Sequence, residues 1–303
     1  MGLLLLAVCS CQKPEEMPGP LGLPALRVKA RPSGEEVALG KKLFFDTRLS
    51  GDNSISCASC HNPEQGFADG RRVSVGVGGM RGRRNSPTVL NAAYGRVQFW
   101  DGRAGSLEEQ AAGPIGNDLE MNHKPELLLA KLRADPAYGA DFTMKKLVGA
   151  IASYERTLLS GNSAFDRYQY GGDKTALTDI AVHGLAVFKT HCATCHTIGP
   201  RDALFTDQKF HNVGVGVDSS GELTDMGRGR GEFKTPTLRN VARTAPYMHN
   251  GSLKSLRQVI EFYVGGGNSN LYLDPLIKPL ELTNQDREGL LAFLESLNGD
   301  LPQ

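Results

Sequence analysis

Cys57-Ala58-Ser59-Cys60-His61 and Cys192-Ala193-Thr194-Cys195-His196 are two copies of one spacing, C-x-x-C-H. The spacing is the attachment signature of c-type haem. Two thiols add across the vinyl groups of the macrocycle, and the imidazole one residue beyond the second thiol is held beneath the ring as an axial iron ligand. A bare C-x-x-C also suits a redox dithiol or half a zinc site. Both copies close on His, which points instead to two covalently bound haems c, held by Cys57, Cys60 and His61 and by Cys192, Cys195 and His196.

The rest of the chain is proportioned to match. Its 303 residues suit two domains of ordinary size, each able to bury a core. The 34 basic and 33 acidic residues leave a formal charge of +1, so no partner such as nucleic acid or an acidic membrane surface is called for. The other two of the six cysteines, Cys9 and Cys11, end a short apolar run from Leu3 to Val8. That run is too short to span a bilayer and reads as the apolar part of a secretory signal. Val8-Cys9-Ser10-Cys11 resembles a lipobox with Cys11 as the acylated residue, the alternative being an ordinary cleaved signal. Either way an exported, periplasmic protein is expected, anchored by lipid if Cys11 is modified. Residues 12–32 are rich in proline and read as a tether.

From Ser33 onward the pattern is helical. Ser33 and Glu36 form a capping box, and Val37, Gly40 and Phe44 follow at helical spacing. Ala181 to Phe188 replays that plan, with Gly184 and Phe188 spaced as Gly40 and Phe44 are. Further helices are expected over 126–134 and 144–159. The second of these has Leu147, Ile151, Tyr154 and Leu158 on one face and Gly161 as its C-cap. A helix from Ser255 carries Leu256, Val259, Ile260 and Tyr263 and stops at Gly265. The last runs from Thr283 to Asn298. Strand signals are scarce. The expected fold is mostly α, two cytochrome c-like haem domains in tandem over 33–171 and 172–303, with Gly171-Gly172 as the boundary.

The sixth ligand of each iron decides what such a protein does. After His61 no histidine occurs until His123, leaving Met80 and Met121 as thioether candidates for the first haem. Met80 lies in a glycine-rich loop that reads as solvated and mobile. Arg71, Arg72, Arg81, Arg83 and Arg84 crowd the same region, facing propionates, a partner or solvent. His123, His183, His191, His211 and His249 have ordinary readings as surface or satisfied core residues.

Asn85-Ser86-Pro87-Thr88, Phe99-Trp100-Asp101-Gly102-Arg103, Leu107-Glu108-Glu109-Gln110 and Gly113-Pro114-Ile115 followed by Glu120-Met121 resemble the first domain of bacterial di-haem cytochrome c peroxidases and the related MauG protein. Thr235 to Asn240, Ala245 to Gly251 and Val259 to Tyr263 resemble their second domain, so the likeness runs in order from about residue 34 to 298. It implies that peroxide reacts at the first haem, with Glu120 and Gln110 in its distal pocket. A pocket carboxylate suits the moving of a proton between peroxide oxygens. Trp100 matches the residue lying between the haems, an electron relay. The family's peroxidases often carry a loop histidine that caps the first haem. The corresponding stretch, 73–84, has none, which implies a first haem open at rest.

Tyr263 stands where many members have a methionine ligand to the second haem, as in MauG, with Met248 as the runner-up ligand. A phenolate favours ferric over ferrous iron. The resemblance also implies one Ca²⁺ between the domains, held by the Asn85 side chain and the carbonyls of Thr244 and Pro246, a hard oxygen set.

The expectation is therefore an exported di-haem peroxidase-type oxidoreductase. It would reduce hydrogen peroxide with electrons from a small cytochrome c or cupredoxin. The alternatives are a MauG-like oxidase acting on a protein substrate, and a di-haem electron carrier with both irons closed.

Overall fold

The structure, a computed structural model, describes residues 14–302. The lipobox-like segment with Cys9 and Cys11 lies outside those residues. In chain order the helices are α1 (Gly34–Phe44), α2 (Leu107–Gly116), α3 (Pro125–Arg133), α4 (Met144–Glu155), α5 (Ala164–Gln169), α6 (Asp179–His191), α7 (Leu256–Val264) and α8 (Asn284–Glu295). Two short antiparallel pairs complete the described elements, β1 (Glu15–Met17) with β2 (Leu26–Val28) and β3 (Phe210–His211) with β4 (Phe233–Lys234).

Two modules share one plan. Ser33 caps α1 reciprocally with Glu36, each side chain accepting the other's backbone N–H. α1 crosses α4 so closely at Gly40 that a Cβ there would stand 1.8 Å from the Ala150 carbonyl oxygen. α6 crosses α8 in the same way, a Cβ on Gly184 meeting the Gly289 carbonyl oxygen at 1.8 Å. One turn beyond each glycine, Phe44 and Phe188 are wholly buried. Phe44 packs edge-on to Tyr154 at 5.3 Å and Phe188 lies 4.8 Å from Phe293. The glycine–phenylalanine spacing seen in the sequence is thus a helix crossing with an aromatic wedge beneath it.

Two expectations are corrected. α4 ends at Glu155 with Arg156 as its cap, short of Leu159, and Gly161 is not part of that cap. The apolar rhythm outlasts the helix because Thr157 and Leu158 turn back three residues, to the carbonyls of Tyr154 and Glu155, which buries Leu158 without another α-turn. The proline-rich stretch read as a tether is packed from residue 15 onward. Leu23, Leu26 and Val28 are buried, Gly22 offers its carbonyl to Arg239, and Tyr94 donates to the Pro24 carbonyl.

The modules are joined by polar contacts. Lys234 donates its backbone N–H to the Trp100 carbonyl and its ammonium to the Val97 carbonyl, each at 2.8 Å. Asn91 and Asn240, equivalent residues with φ of 60° and 59°, both bind Ser160. α5 precedes Gly171-Gly172 in the chain, yet its Phe165 sits in the second core against Phe205 and Phe293.

Candidate active site

Each C-x-x-C-H motif is built alike. Cys57 and Cys192 pack against the apolar core of their own module, and the four motif thiols are free. Burial pushes the Cys57 and Cys192 thiols up to about 12, so both sit as neutral thiols. The His61 ring sets its Nδ1 3.3 Å from the Phe67 carbonyl, and His196 sets its Nδ1 2.8 Å from the Phe205 carbonyl. Phe67 and Phe205 both hold left-handed backbone, at φ of 57° and 52°, which turns those carbonyls inward. Nδ1 then carries the proton in each ring, burial keeps the rings neutral, and Nε2 is left as the donor atom. Two thiols, a neutral imidazole tied at Nδ1 and a phenylalanine behind it, present twice, fit haem c at both motifs.

The two modules also share an equivalent helix, α2 in the first and α7 in the second. Ser106 caps α2 and Ser255 caps α7, with Glu109 and Gln258 closing each turn onto the N–H of Gly105 and Lys254. Short bridges, Gln98 to Ala104 and Tyr247 to Leu253, precede the two caps in equivalent places. Counted from the caps, Pro114 of α2 and Tyr263 of α7 occupy the same step.

Around Pro114 the backbone folds back on α2. Gln110 lies one turn before Pro114 and on the same face. Proline has no N–H to give the Gln110 carbonyl, and α2 ends two residues later. The chain then doubles back, Met121 donating to the Pro114 carbonyl at 3.1 Å and His123 to that of Ile115 at 2.8 Å. Glu120 lies in that return, its N–H bound to the Asn117 carbonyl at 2.9 Å. Its backbone carbonyl accepts from Val77 at 2.8 Å. Burial raises the Glu120 carboxyl, with Arg103 pulling the other way, and its charge is felt at the Cys60 thiol. Arg103 is itself stacked 3.5 Å over the Phe99 ring.

The loop over 73–84 is a tight hairpin tied to Glu120, with Gly76 donating to Met80 and Gly82 to Ser74. Its tip, Gly78 to Arg81, is exposed, as expected of a solvated loop. Met80 points outward, 49% exposed, and Met121 is buried in the apolar core. Arg84 leaves the expected solvated basic group. It binds Asp225 through two nitrogens, at 2.7 and 2.8 Å, and Asp101 at 2.6 Å, joining the modules.

Tyr263 lies beside Cys192 and Cys195. Burial and the two neighbouring sulfurs raise its phenol, and the hydroxyl makes no hydrogen bond among the described residues. Trp100 is half-buried at the seam between the modules and donates its indole N–H to the Asn85 carbonyl at 2.8 Å. The Asn85 N–H binds the carbonyl of His249, the repeat equivalent of Trp100, at 2.7 Å. The Asn85 side-chain amide donates to the Arg71 carbonyl, and neither the Thr244 nor the Pro246 carbonyl accepts a hydrogen bond among the described residues.

Of the remaining histidines two are tied to carboxylates, whereas the buried Nε2 atoms of His123 and His249 lack a partner among the described residues, against the expectation of satisfied rings. His183 binds Asp286, and His211 sits between Asp207 and Asp274. Among the described residues one group has metal-holding spacing, Cys195, Asp207 and His211. Cys195 is a motif thiol, so this group adjoins the second haem position and is no separate site. The paired left-handed phenylalanines and the Pro114–Tyr263 equivalence escaped sequence reading, since both need backbone angles or register to be seen.

Fold and site together define a two-haem c-type cytochrome. The sequence profile of the di-haem cytochrome c peroxidase family matches residues 34–175, and that of cytochrome c matches 181–298. The methylamine utilization protein MauG of Methylorubrum extorquens is 40% identical, over 95% of this chain and 83% of that protein. The cytochrome c551 peroxidase of Pseudomonas aeruginosa is 38% identical, over 89% of this chain and 81% of that one. The crystal structure of a MauG-like protein associated with microbial copper homeostasis superposes with a TM-score of 0.81 at 29% identity, covering 97% and 96% of the two chains. The chain belongs to the di-haem cytochrome c peroxidase and MauG family and is a di-haem peroxidase-type oxidoreductase.

Proposed function

We propose that this protein reduces hydrogen peroxide to water at the haem held by Cys57, Cys60 and His61, with electrons from a small redox protein arriving by way of the second haem. The observation that carries the reading is the equivalence of Pro114 and Tyr263. Where α7 has a phenol that could hold an iron, α2 has a ring with no donor atom. One face stays open to a small oxidant and the other is closed.

Haem supplies iron that accepts electrons one at a time and cleaves the O–O bond. The side chains do the rest. Glu120 takes a proton from one peroxide oxygen and returns it to the other, a role that its burial supports. Gln110 donates an amide N–H to orient the peroxide. Overall, two electrons and two protons convert H₂O₂ to two waters. Trp100, fixed at the seam by Asn85 and Lys234, stands on the route between the modules. Tyr263 would hold the second iron as phenolate and so favour its ferric state. Its unpartnered hydroxyl beside Cys192 and Cys195 supports this, and Met248 remains the runner-up.

Calcium at Asn85, Thr244 and Pro246 is part of the same proposal. The unused carbonyls and the buried Asn85 suit it. Export is proposed from residues 3–11 alone. Among the described residues no helix is long and apolar enough to cross a membrane.

A second reading, a MauG-like oxidase that withdraws electrons from a partner protein, is favoured by Tyr263. Steady-state oxidation of a reduced small cytochrome by peroxide tests the first reading. Turnover supports it. Absence of turnover, with peroxide-dependent oxidation of a protein partner, replaces it with the second.

A further inference from the structure

Glu155 ends α4 and is 3% exposed, and its Oε2 is buried with no hydrogen-bond partner among the described residues. The neighbouring guanidinium does not serve it, because Arg156 reaches across to Glu108 of α2 at 2.7 Å. Its charge reaches the first haem motif. After burial itself, the Glu155 charge is the largest influence on the Cys57 thiol.

The internal repeat shows that packing does not require an acid here. The crossings at Ala150 and Gly289, and the wedges Tyr154 and Phe293, set the register of α4 on α8. Ile151 then matches Leu290, Leu158 matches Leu297, and all four are buried. In that register Glu155 matches Leu294, also buried. The second module fills the position with hydrocarbon, whereas the first holds a carboxyl there at the cost of burying an unpaired polar group.

We propose that Glu155 is a proton site coupled to the haem held by Cys57 and Cys60, binding one proton as that haem gains an electron and releasing it to solvent as the electron leaves. Charge balances at each turn, one electron and one proton entering together. An added electron makes the macrocycle less positive, and in a low-dielectric interior this strengthens proton binding at a neighbouring carboxylate. The charged groups facing Glu155 are Arg156, which favours its ionised form, and Glu108, which opposes it. Burial outweighs both and pushes the carboxyl up to about 8, so it titrates close to neutrality. The inference needs only a haem on the first motif, whichever haem meets peroxide. In the module proposed to consume protons, it also places a proton where water is excluded.

The test is the reduction potential of each haem in the holoprotein against pH, for wild type, Glu155→Gln and Glu155→Leu. The wild-type potential of the first haem falls as pH rises, towards a limit of about 59 mV per tenfold change in proton activity for a one-electron couple. Both variants lose that slope at the first haem and leave the second haem unchanged. The isosteric Gln variant decides the matter should the Leu variant lose haem. A wild-type potential independent of pH, or the same slope in wild type and Glu155→Gln, overturns the proposal.

Discussion

Arg239 and Asp166 form a two-pronged ion pair, at 2.8 and 2.9 Å, with side chains 1% and 0% exposed. Arg239 also donates to the carbonyls of Ala203 and Gly22, so one guanidinium ties α5, the loop after the second haem motif and the N-terminal stretch together. Removing one partner strands the other charge in a water-free site. Asp166→Ala is expected to cost about 3–5 kcal/mol, read by denaturant unfolding of the holoprotein. A loss below about 1 kcal/mol would show that water reaches Arg239.

The crossing of α6 and α8 tolerates no side chain at Gly184, where a Cβ would enter the Gly289 carbonyl. Gly184→Ala forces the helices apart. A loss of about 1–3 kcal/mol is expected, the range for overpacking a tight core. The absorption spectrum of the second haem should shift with it while the first keeps its own. Equal disturbance of both would mean that the modules are mechanically one.

His249 supplies an acid sensitivity. Buried against Phe233, with Nε2 unpartnered, it is lowered by burial from 6.5 to about 4. Below pH 6.5 the unfolded chain takes up a proton that the folded chain refuses. The stabilising difference is thus complete above that value and is lost as pH falls towards 4, amounting to about 3 kcal/mol. His249→Gln should flatten the fall in stability over that window. An unaltered pH profile would show that the ring is protonated in the fold.

Glu120→Gln keeps the shape of the pocket and removes its base. Peroxide cleavage should slow by about 10²–10⁴-fold in stopped-flow mixing, with both haems still attached. An unchanged rate would shift the proton work to another group.

Much of this was legible beforehand. The two C-x-x-C-H motifs, the Ser33–Glu36 box and the Gly–Phe pairs on α1 and α6 announced two haem-bearing helical modules, because each is a local pattern with a local cause. What stayed hidden depends on distant partners or on backbone sign. Arg84 looked like one of a solvated basic group until Asp225 came to face it. Residues 15–28 have a tether's proline content, yet Leu23, Leu26 and Val28 among them are buried. Glu155 left a readable trace, an acid beside Tyr154 on an otherwise apolar face, which gains meaning only when set in register with Leu294.

Electron paramagnetic resonance of the resting ferric holoprotein tests the asymmetry of Pro114 and Tyr263 most directly. One high-spin and one low-spin haem in equal amounts are expected, with Tyr263→Phe altering the low-spin signal alone. Two low-spin haems in the resting protein would contradict the account, because a side chain would then close the face that Pro114 leaves open.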